Sequence, residues 1–156
     1  MKVLVLIPAY NEARTISEIV RRAKRHADLV LVVDDGSSDE TGRLAKQAGA
    51  IVVRNERNMG LGLALRRGFQ EALKYDWDVI VTLDADGQHD PKEIPKLVKK
   101  IKKGADVVIG ERDLSSYPFV KRFGNLFLNI LTNFLAGTNI SDTESGFRDF
   151  RRNDIK

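Results

Sequence analysis

A chain of 156 residues that is 42% hydrophobic and 31% charged has the size and composition of one ordinary soluble domain, with enough apolar residues for a core. It contains no cysteine, which excludes disulfides, zinc-thiolate sites and a cysteine nucleophile and fits a reducing compartment. Lys and Arg number 26 against 22 acids, a net charge of +4. The excess reads as spread along several helices rather than clustered, so solvated helix faces are its first explanation and no nucleic-acid partner is expected.

Val3 to Ile7 is an apolar run with the length of a buried strand, too short for a signal-peptide core or a membrane span. Thr15 and Glu18 form the pattern of a capping box and open a helix to about Ala27. Leu29 to Val33 is a second strand. Ser38 stands as the N-cap of a short helix over about Asp39 to Ala48, stopped by Gly49. A third strand, Ile51 to Arg54, precedes a helix from about Leu61 to Lys74. Val79 to Asp84 is the fourth strand. Asp90 and Pro91 supply the N-cap and first position of a helix that ends at Gly104, and Val107 to Gly110 is the fifth strand. Strands alternating with helices predict an α/β fold, a mainly parallel sheet covered on both faces with ligands at the carboxyl ends of its strands. Phe119 to Leu135 then forms an apolar helical run. Asn125, Asn129 and Asn133 make a polar stripe along it, and its apolar side packs in a core or dimer or meets lipid.

Each strand is followed by polar residues. They are Pro8 to Glu12, Asp34 to Asp39, Asn58 to Gly62, Asp84 to His89, and Gly110 to Arg112. One such cluster is explained by a turn; five at one sheet edge point to a binding site. Asp84 and Asp86 are two apart, and in an extended segment such side chains face one point. Two adjacent carboxylates repel unless a cation lies between them, and oxygen-only ligands suit Mg²⁺ or Mn²⁺ with substrate phosphates. Gln88 and His89 stand ready to support that shell. Asp34 and Asp35 have two readings, an Asx turn or acceptors for a nucleobase edge or ribose hydroxyls. Gly60 and Gly62 permit close backbone approach at a helix start, where a diphosphate is welcome. There is no dinucleotide fingerprint and no P-loop.

Taken in order, PAYNE, VVDDGSSDET, NMGLGLALRRG, DADGQH, GER and DTESGFRDF resemble family 2 glycosyltransferases, and most closely the branch that loads hexoses onto dolichyl or polyprenyl phosphate. The resemblance spans essentially the whole chain and implies the GT-A fold, a Rossmann-like, mainly parallel sheet flanked by helices. It also implies one catalytic domain over 1–156, with a nucleotide-sugar and metal half (1–110) and an acceptor half (111–156). Carried over by motif, Pro8, Tyr10, Glu12, Asp34, Asp35, Asn58, Gly60 and Asp84 hold the nucleotide sugar. Asp84, Asp86 and Gln88 hold Mg²⁺ or Mn²⁺, with Asp86 also counted as catalytic. Arg112 and Arg122 grip the acceptor phosphate, and Asp142, Ser145, Gly146, Phe147 and Arg148 match the DxxSGFR segment near the acceptor. For Arg112 and Arg122 the plain alternative is a pair of surface arginines.

The resemblance thus implies an inverting transfer of mannose or glucose, from GDP-mannose or UDP-glucose, to a polyprenyl or dolichyl phosphate. A saccharide hydroxyl is the alternative acceptor, needing Asp142 as base, and a sugar-nucleotide-binding module without turnover is the third reading. The expected location is cytoplasmic, at the cytoplasmic face of a membrane, through peripheral contact. Polyprenyl-phosphate synthases usually continue past SGFR with another helix and basic residues, so part of the acceptor side or an anchor is expected beyond Lys156.

Overall fold

The computed structural model describes residues 1–105, 107–110 and 148–151. Within them the chain runs β1 (Val3–Ala9), α1 (Ile16–Ala23), β2 (Leu29–Asp34), α2 (Thr41–Gln47), β3 (Ile51–Arg54), α3 (Leu61–Ala72) and β4 (Val79–Thr82). A 3-10 turn (Pro91–Glu93), α4 (Ile94–Lys102), β5 (Val107–Ile109) and β6 (Arg148–Arg151) follow. Among the described residues the five expected strands and the four expected helices before Gly110 are present, within a few residues of the expected ends.

The sheet order is β3-β2-β1-β4-β6-β5. β3, β2, β1 and β4 are mutually parallel, while β6 pairs antiparallel with both β4 and β5. This last strand comes from the RDF end of the SGFR segment and was not anticipated. It separates β4 from β5, so the sheet is mainly parallel with one reversed insertion.

Alternation along β1 divides its continuous apolar run between two layers. Val3, Val5 and Ile7 join a core with Ile16, Ile19 and Val20 of α1 and Ile94, Leu97, Val98 and Ile101 of α4. Leu4 and Leu6 face the opposite way, with Leu31, Val33, Ala64 and Trp77 under α3. Full burial of each such aliphatic side chain is worth about 1.5–3 kcal/mol. Close seating of α3 depends on Gly68, where a Cβ would lie 2.4 Å from Leu6 Cδ1.

Two expected helix caps take other forms. Thr15 precedes α1 but makes no side-chain cap. Its hydroxyl lies 2.7 Å from the Ala85 carbonyl instead, and Glu18 pairs with Arg22 at 3.5 Å rather than reaching back. Ser38 does not cap α2. Its amide donates to Asn11 Oδ1 (2.8 Å), and the Thr41 amide is taken by Asp39 Oδ1 (3.0 Å). The Thr15 and Ser38 hydroxyls both reach tertiary partners, Ala85 and Asn11, and Asp39 serves the Thr41 amide in place of Ser38. Asp90 does cap as expected, accepting from the Lys92 amide at 2.9 Å.

Candidate active site at the carboxyl ends of the strands

From β1 the chain winds outward through β2 and β3, then returns to the other side of β1 as β4. The sheet therefore has its switch point between β1 and β4, and the crevice there is where an open α/β sheet takes its ligand. The loop Tyr10 to Ala13 forms one wall and the turn Asp84 to His89 the other. Thr15 joins them through its bond to Ala85, and the Leu83 amide donates to the Leu6 carbonyl at 3.0 Å.

The wall after β1 is held by side chains from the β2–α2 loop. The Asn11 amide donates to Ser37 Oγ (3.0 Å), that of Glu12 to Thr41 Oγ1 (2.8 Å), and that of Ala13 to Asp39 Oδ2 (3.0 Å). Asn11 adopts φ 56, a left-handed conformation that Asn tolerates and few larger residues do. Pro8 is buried, Glu12 is half-buried and Tyr10 is 46% exposed, leaving its ring open to a ligand. The Asp39 carboxyl is pushed up by burial but more than offset by hydrogen bonds from the Thr41 hydroxyl and the Ala13 and Thr41 amides. It sits below its ordinary value.

Asp34 and Asp35 end β2 and are both buried. Asp34 Oδ1 accepts the Ser37 amide (2.9 Å) and Oδ2 the Arg54 guanidinium (2.6 Å). A Cβ on Gly42 would come within 2.5 Å of the same Oδ2. Asp35 Oδ1 accepts Asn55 Nδ2 (2.6 Å) and the Met59 amide (3.0 Å), and Oδ2 accepts the Gly60 amide (2.9 Å). Arg67 donates to Asn55 Oδ1 at 2.6 Å. The anion at the start of α3 is thus the chain's own Asp35. The Gly60 amide, expected to meet a diphosphate, is satisfied from within, as is that of Met59 beside it. Asn58 and Gly60 are exposed, and Asn58 Oδ1 also accepts from the Gly60 amide (2.9 Å). Beside this network a groove of about 810 Å³, lined by Arg54, Arg57, Met59, Leu63, Arg66 and Arg67 among others, follows the β3–α3 flank away from the Asp84 turn.

The Asp84 to His89 segment is not extended. β4 ends at Thr82 and the chain turns at Ala85 and Asp86, so any convergence of Asp84 and Asp86 comes from a turn and not from strand alternation. Asp84 is half-buried, while Asp86 and Gln88 are exposed. Asp86 Oδ1 accepts the Gln88 amide at 2.9 Å, an Asx turn that brings the two residues together, and Gly87 supplies the required φ of 80. His89 is buried, at 5% exposure, whereas Gln88 is exposed. Among the described residues no three His, Asp or Glu side chains gather into a complete metal cage. Two carboxylates beside an open crevice fit a hard ion that keeps waters and takes further oxygens from substrate phosphates.

Arg148 heads β6 opposite Thr82 of β4 and Ile109 of β5, and its amide donates to Thr82 Oγ1 at 3.1 Å. One residue of the SGFR segment is therefore at the same sheet edge, two positions before Asp84. The strand that carries it was missed because RDFR has no apolar alternation and its partners are remote in sequence. Arg112, Arg122, Asp142, Ser145, Gly146, Phe147 and the Phe119 to Leu135 run lie outside the described residues.

A mainly parallel sheet with an acidic turn at its switch point is the frame of GT-A glycosyltransferases. The crystal structure of glucosyl-3-phosphoglycerate synthase from Mycobacterium tuberculosis, in complex with Mn²⁺, uridine diphosphate and glucosyl-3-phosphoglycerate, shares this fold. Its TM-score is 0.77 at 24% identity, over 97% of this chain and 57% of that one. The family model for glycosyl transferase family 2 matches residues 4–156, and the chain belongs to that family. It is 35% identical to polyprenol monophosphomannose synthase of Mycolicibacterium smegmatis, over 97% of this chain and 62% of that protein. It is 32% identical to UDP-N-acetylglucosamine–dolichyl-phosphate N-acetylglucosaminyltransferase of Methanococcus voltae, over 99% of this chain and 71% of that protein. The chain thus spans 62–71% of the length of these curated relatives.

Proposed function

We propose that the protein transfers a hexose, mannose or glucose, from a nucleotide-sugar donor to a polyprenyl or dolichyl phosphate at the cytoplasmic face of a membrane, with inversion. The observation that carries the reading is the pairing of two walls at the switch point, Tyr10 to Ala13 and Asp84 to Gln88, tied through Thr15 and Ala85. The names of the two relatives favour a lipid-phosphate acceptor, and they disagree on the sugar.

Pro8, Tyr10 and Glu12 line the donor side, with Asp34, Asp35, Asn58 and Gly60 shaping its floor. Asp84, Asp86 and Gln88 are the residues to hold Mg²⁺ or Mn²⁺. When bound, the ion supplies charge neutralisation to the departing diphosphate. An acceptor phosphate monoester has a second pKa of about 6, so near neutral pH its oxygen is already an anion. That oxygen forms the new bond to the anomeric carbon while the bond to the diphosphate breaks, and no strong base is required. Arg112 and Arg122, with Arg148 at the sheet edge, are the candidates to orient it, since a guanidinium fork matches phosphate geometry.

The test titrates GDP-, UDP- and dTDP-sugars with and without Mn²⁺ or Mg²⁺, then offers a short polyprenyl phosphate and an oligosaccharide as acceptors. Metal-dependent binding of one donor followed by transfer to the lipid phosphate supports the proposal. Preference for the saccharide overturns it, as does donor binding with no transfer to either.

A further inference from the structure

The net charge of the molecule is not spread evenly. The segment from Lys92 to Lys103 contains six lysines and one glutamate, and six less one is +5, against +4 for the whole chain; the remainder is therefore slightly acidic. All six lysines are exposed. Projected at about 100° per residue, Lys96, Lys99 and Lys103 fall within roughly 60° of one another, with Lys100 and Lys102 on either flank. Lys92 extends the row by one turn, giving a cationic stripe about 16 Å long. Ile94, Leu97, Val98 and Ile101 hold the opposite side of α4 in the core, at 0–7% exposure. The stripe therefore points straight away from the protein. Only Lys96 has an acidic partner among the described residues, Glu93 at 2.8 Å. By contrast, on α1 the side chain of Arg22 is engaged by both Glu18 and Asp90.

We infer that the outer face of α4 is a docking surface for an anionic membrane. Lysines gathered along one face attract an extended anionic surface, each contributing about 1 kcal/mol near a charged leaflet. Lysines on a convex helix are strongly hydrated point charges without the fixed fork that grips a discrete phosphate. Clusters of four to eight such residues on an amphipathic helix match the spacing of acidic headgroups. Because the apolar side of α4 is committed to the core, the contact is electrostatic, without insertion. α4 follows the Asp84 to His89 turn and packs against β5 and β6, the strand that carries Arg148. As the crossover between parallel strands it starts at the carboxyl edge of the sheet with Lys92 and Lys96 and carries Lys99 to Lys103 toward the opposite edge, where β5 begins. The inference rests on the proposed lipid acceptor for its purpose only, and the measurement below contains neither donor nor polyprenyl phosphate.

The probe is a set of vesicles of phosphatidylcholine with and without phosphatidylglycerol, read by co-sedimentation of the full chain. Binding to the anionic vesicles is expected to fall steeply between 50 and 300 mM salt, as the Debye length contracts from about 14 to about 6 Å. The triple variant Lys99→Gln/Lys100→Gln/Lys103→Gln should lower partitioning roughly a hundredfold, at about fivefold per lysine near a charged surface. Replacing Arg21 on α1 and Arg25 in the turn after it by Gln should change it far less. Circular dichroism and melting temperature are expected to match wild type, since each lysine is in solvent; if the triple variant unfolds, the single Lys99→Gln, with its fivefold loss, carries the test. Equal binding to uncharged vesicles, or undiminished binding by the variant, overturns the inference. So does competition by inorganic phosphate at constant ionic strength, or a preference for duplex DNA over the vesicles.

Discussion

The floor of the crevice after β2 and its wall after β4 are both rich in Asp, and they treat their carboxylates in opposite ways. At the end of β2, Asp34 and Asp35 are buried and accept hydrogen bonds from Ser37, Arg54, Asn55, Met59 and Gly60. At the end of β4, Asp86 is exposed and accepts one amide, that of Gln88. An acid whose oxygens are filled from within is a structural member. An acid in a half-open turn is available to something outside the chain. The sequence motifs look alike, and burial is what separates them.

The sharpest way to break this contrast is Asp35→Ala. It would strip partners from the buried Asn55 amide and the part-buried Met59 backbone amide at once, while the exposed Gly60 amide keeps Asn58 Oδ1. Buried donors left unpaired cost about 1–3 kcal/mol each, so a loss of about 3–5 kcal/mol is expected. That corresponds to a fall of roughly 10 °C in melting temperature for a domain of this size. A drop below 2 °C would mean that the Asp35 network is not structural.

Asp86→Asn should do the reverse. A surface substitution away from packing changes stability by about 0.5 kcal/mol or less. Metal-dependent donor binding should weaken by at least about a hundredfold, because an amide brings no charge to a hard cation. Chelation of the metal should mimic the substitution in wild type and add nothing in the variant. If donor affinity survives both, Asp86 is not a metal ligand.

Much of this is legible in the sequence itself. The apolar runs, the Asp90-Pro91 helix start and the polar residues after each strand are local signals, and local signals report element order well. What stayed hidden depends on distant partners. Thr15 and Ser38 look like caps until Ala85 and Asn11 claim them. Asp34 and Asp35 read equally as a turn or as ligand acceptors, and their bonds to Arg54 and Asn55, each 20 residues on, show only in the fold. β6 carries no pattern of its own and exists because β4 and β5 leave a place between them. The lysines of α4 were visible as residues, but their concentration on one face became clear only once the buried side of the helix was known.

Arg54→Ala tests the floor more gently. Asp34 is fully buried and Arg54 is half-exposed, so the pair is a surface cation holding a buried anion. Removal leaves that carboxylate with the Ser37 amide alone, although water can enter where the guanidinium stood. The full penalty of a broken buried pair, about 3–5 kcal/mol, should therefore be reduced to about 1–2 kcal/mol. Lys at this position would restore charge but not the second bond, from the other guanidinium nitrogen to the Ser37 carbonyl at 2.7 Å. Arg54→Lys should fall between the two. If Lys matched Arg, the fork would be irrelevant and only charge would matter.

The smallest effect concerns Asp39, whose carboxyl bridges the two loops. Burial raises its pKa, and the Thr41 hydroxyl with the Ala13 and Thr41 amides lowers it further than burial lifts it. A carboxyl with a depressed folded pKa adds stability above its unfolded value of about 3.9 and loses it as pH falls through the folded one. The wild type should therefore gain nothing more from this group above about pH 5. Its advantage over Asp39→Asn should be constant from there to pH 7 and shrink as pH drops below 4. Melting curves of the two proteins at pH 7, 5, 4 and 3 provide the check. Because Asn keeps an oxygen for one of the amides, the gap at neutral pH should be modest, a few degrees at most. A gap that widens toward acid would mean that the carboxyl is raised in the folded protein, and that burial outweighs the hydrogen bonds that close this wall of the crevice.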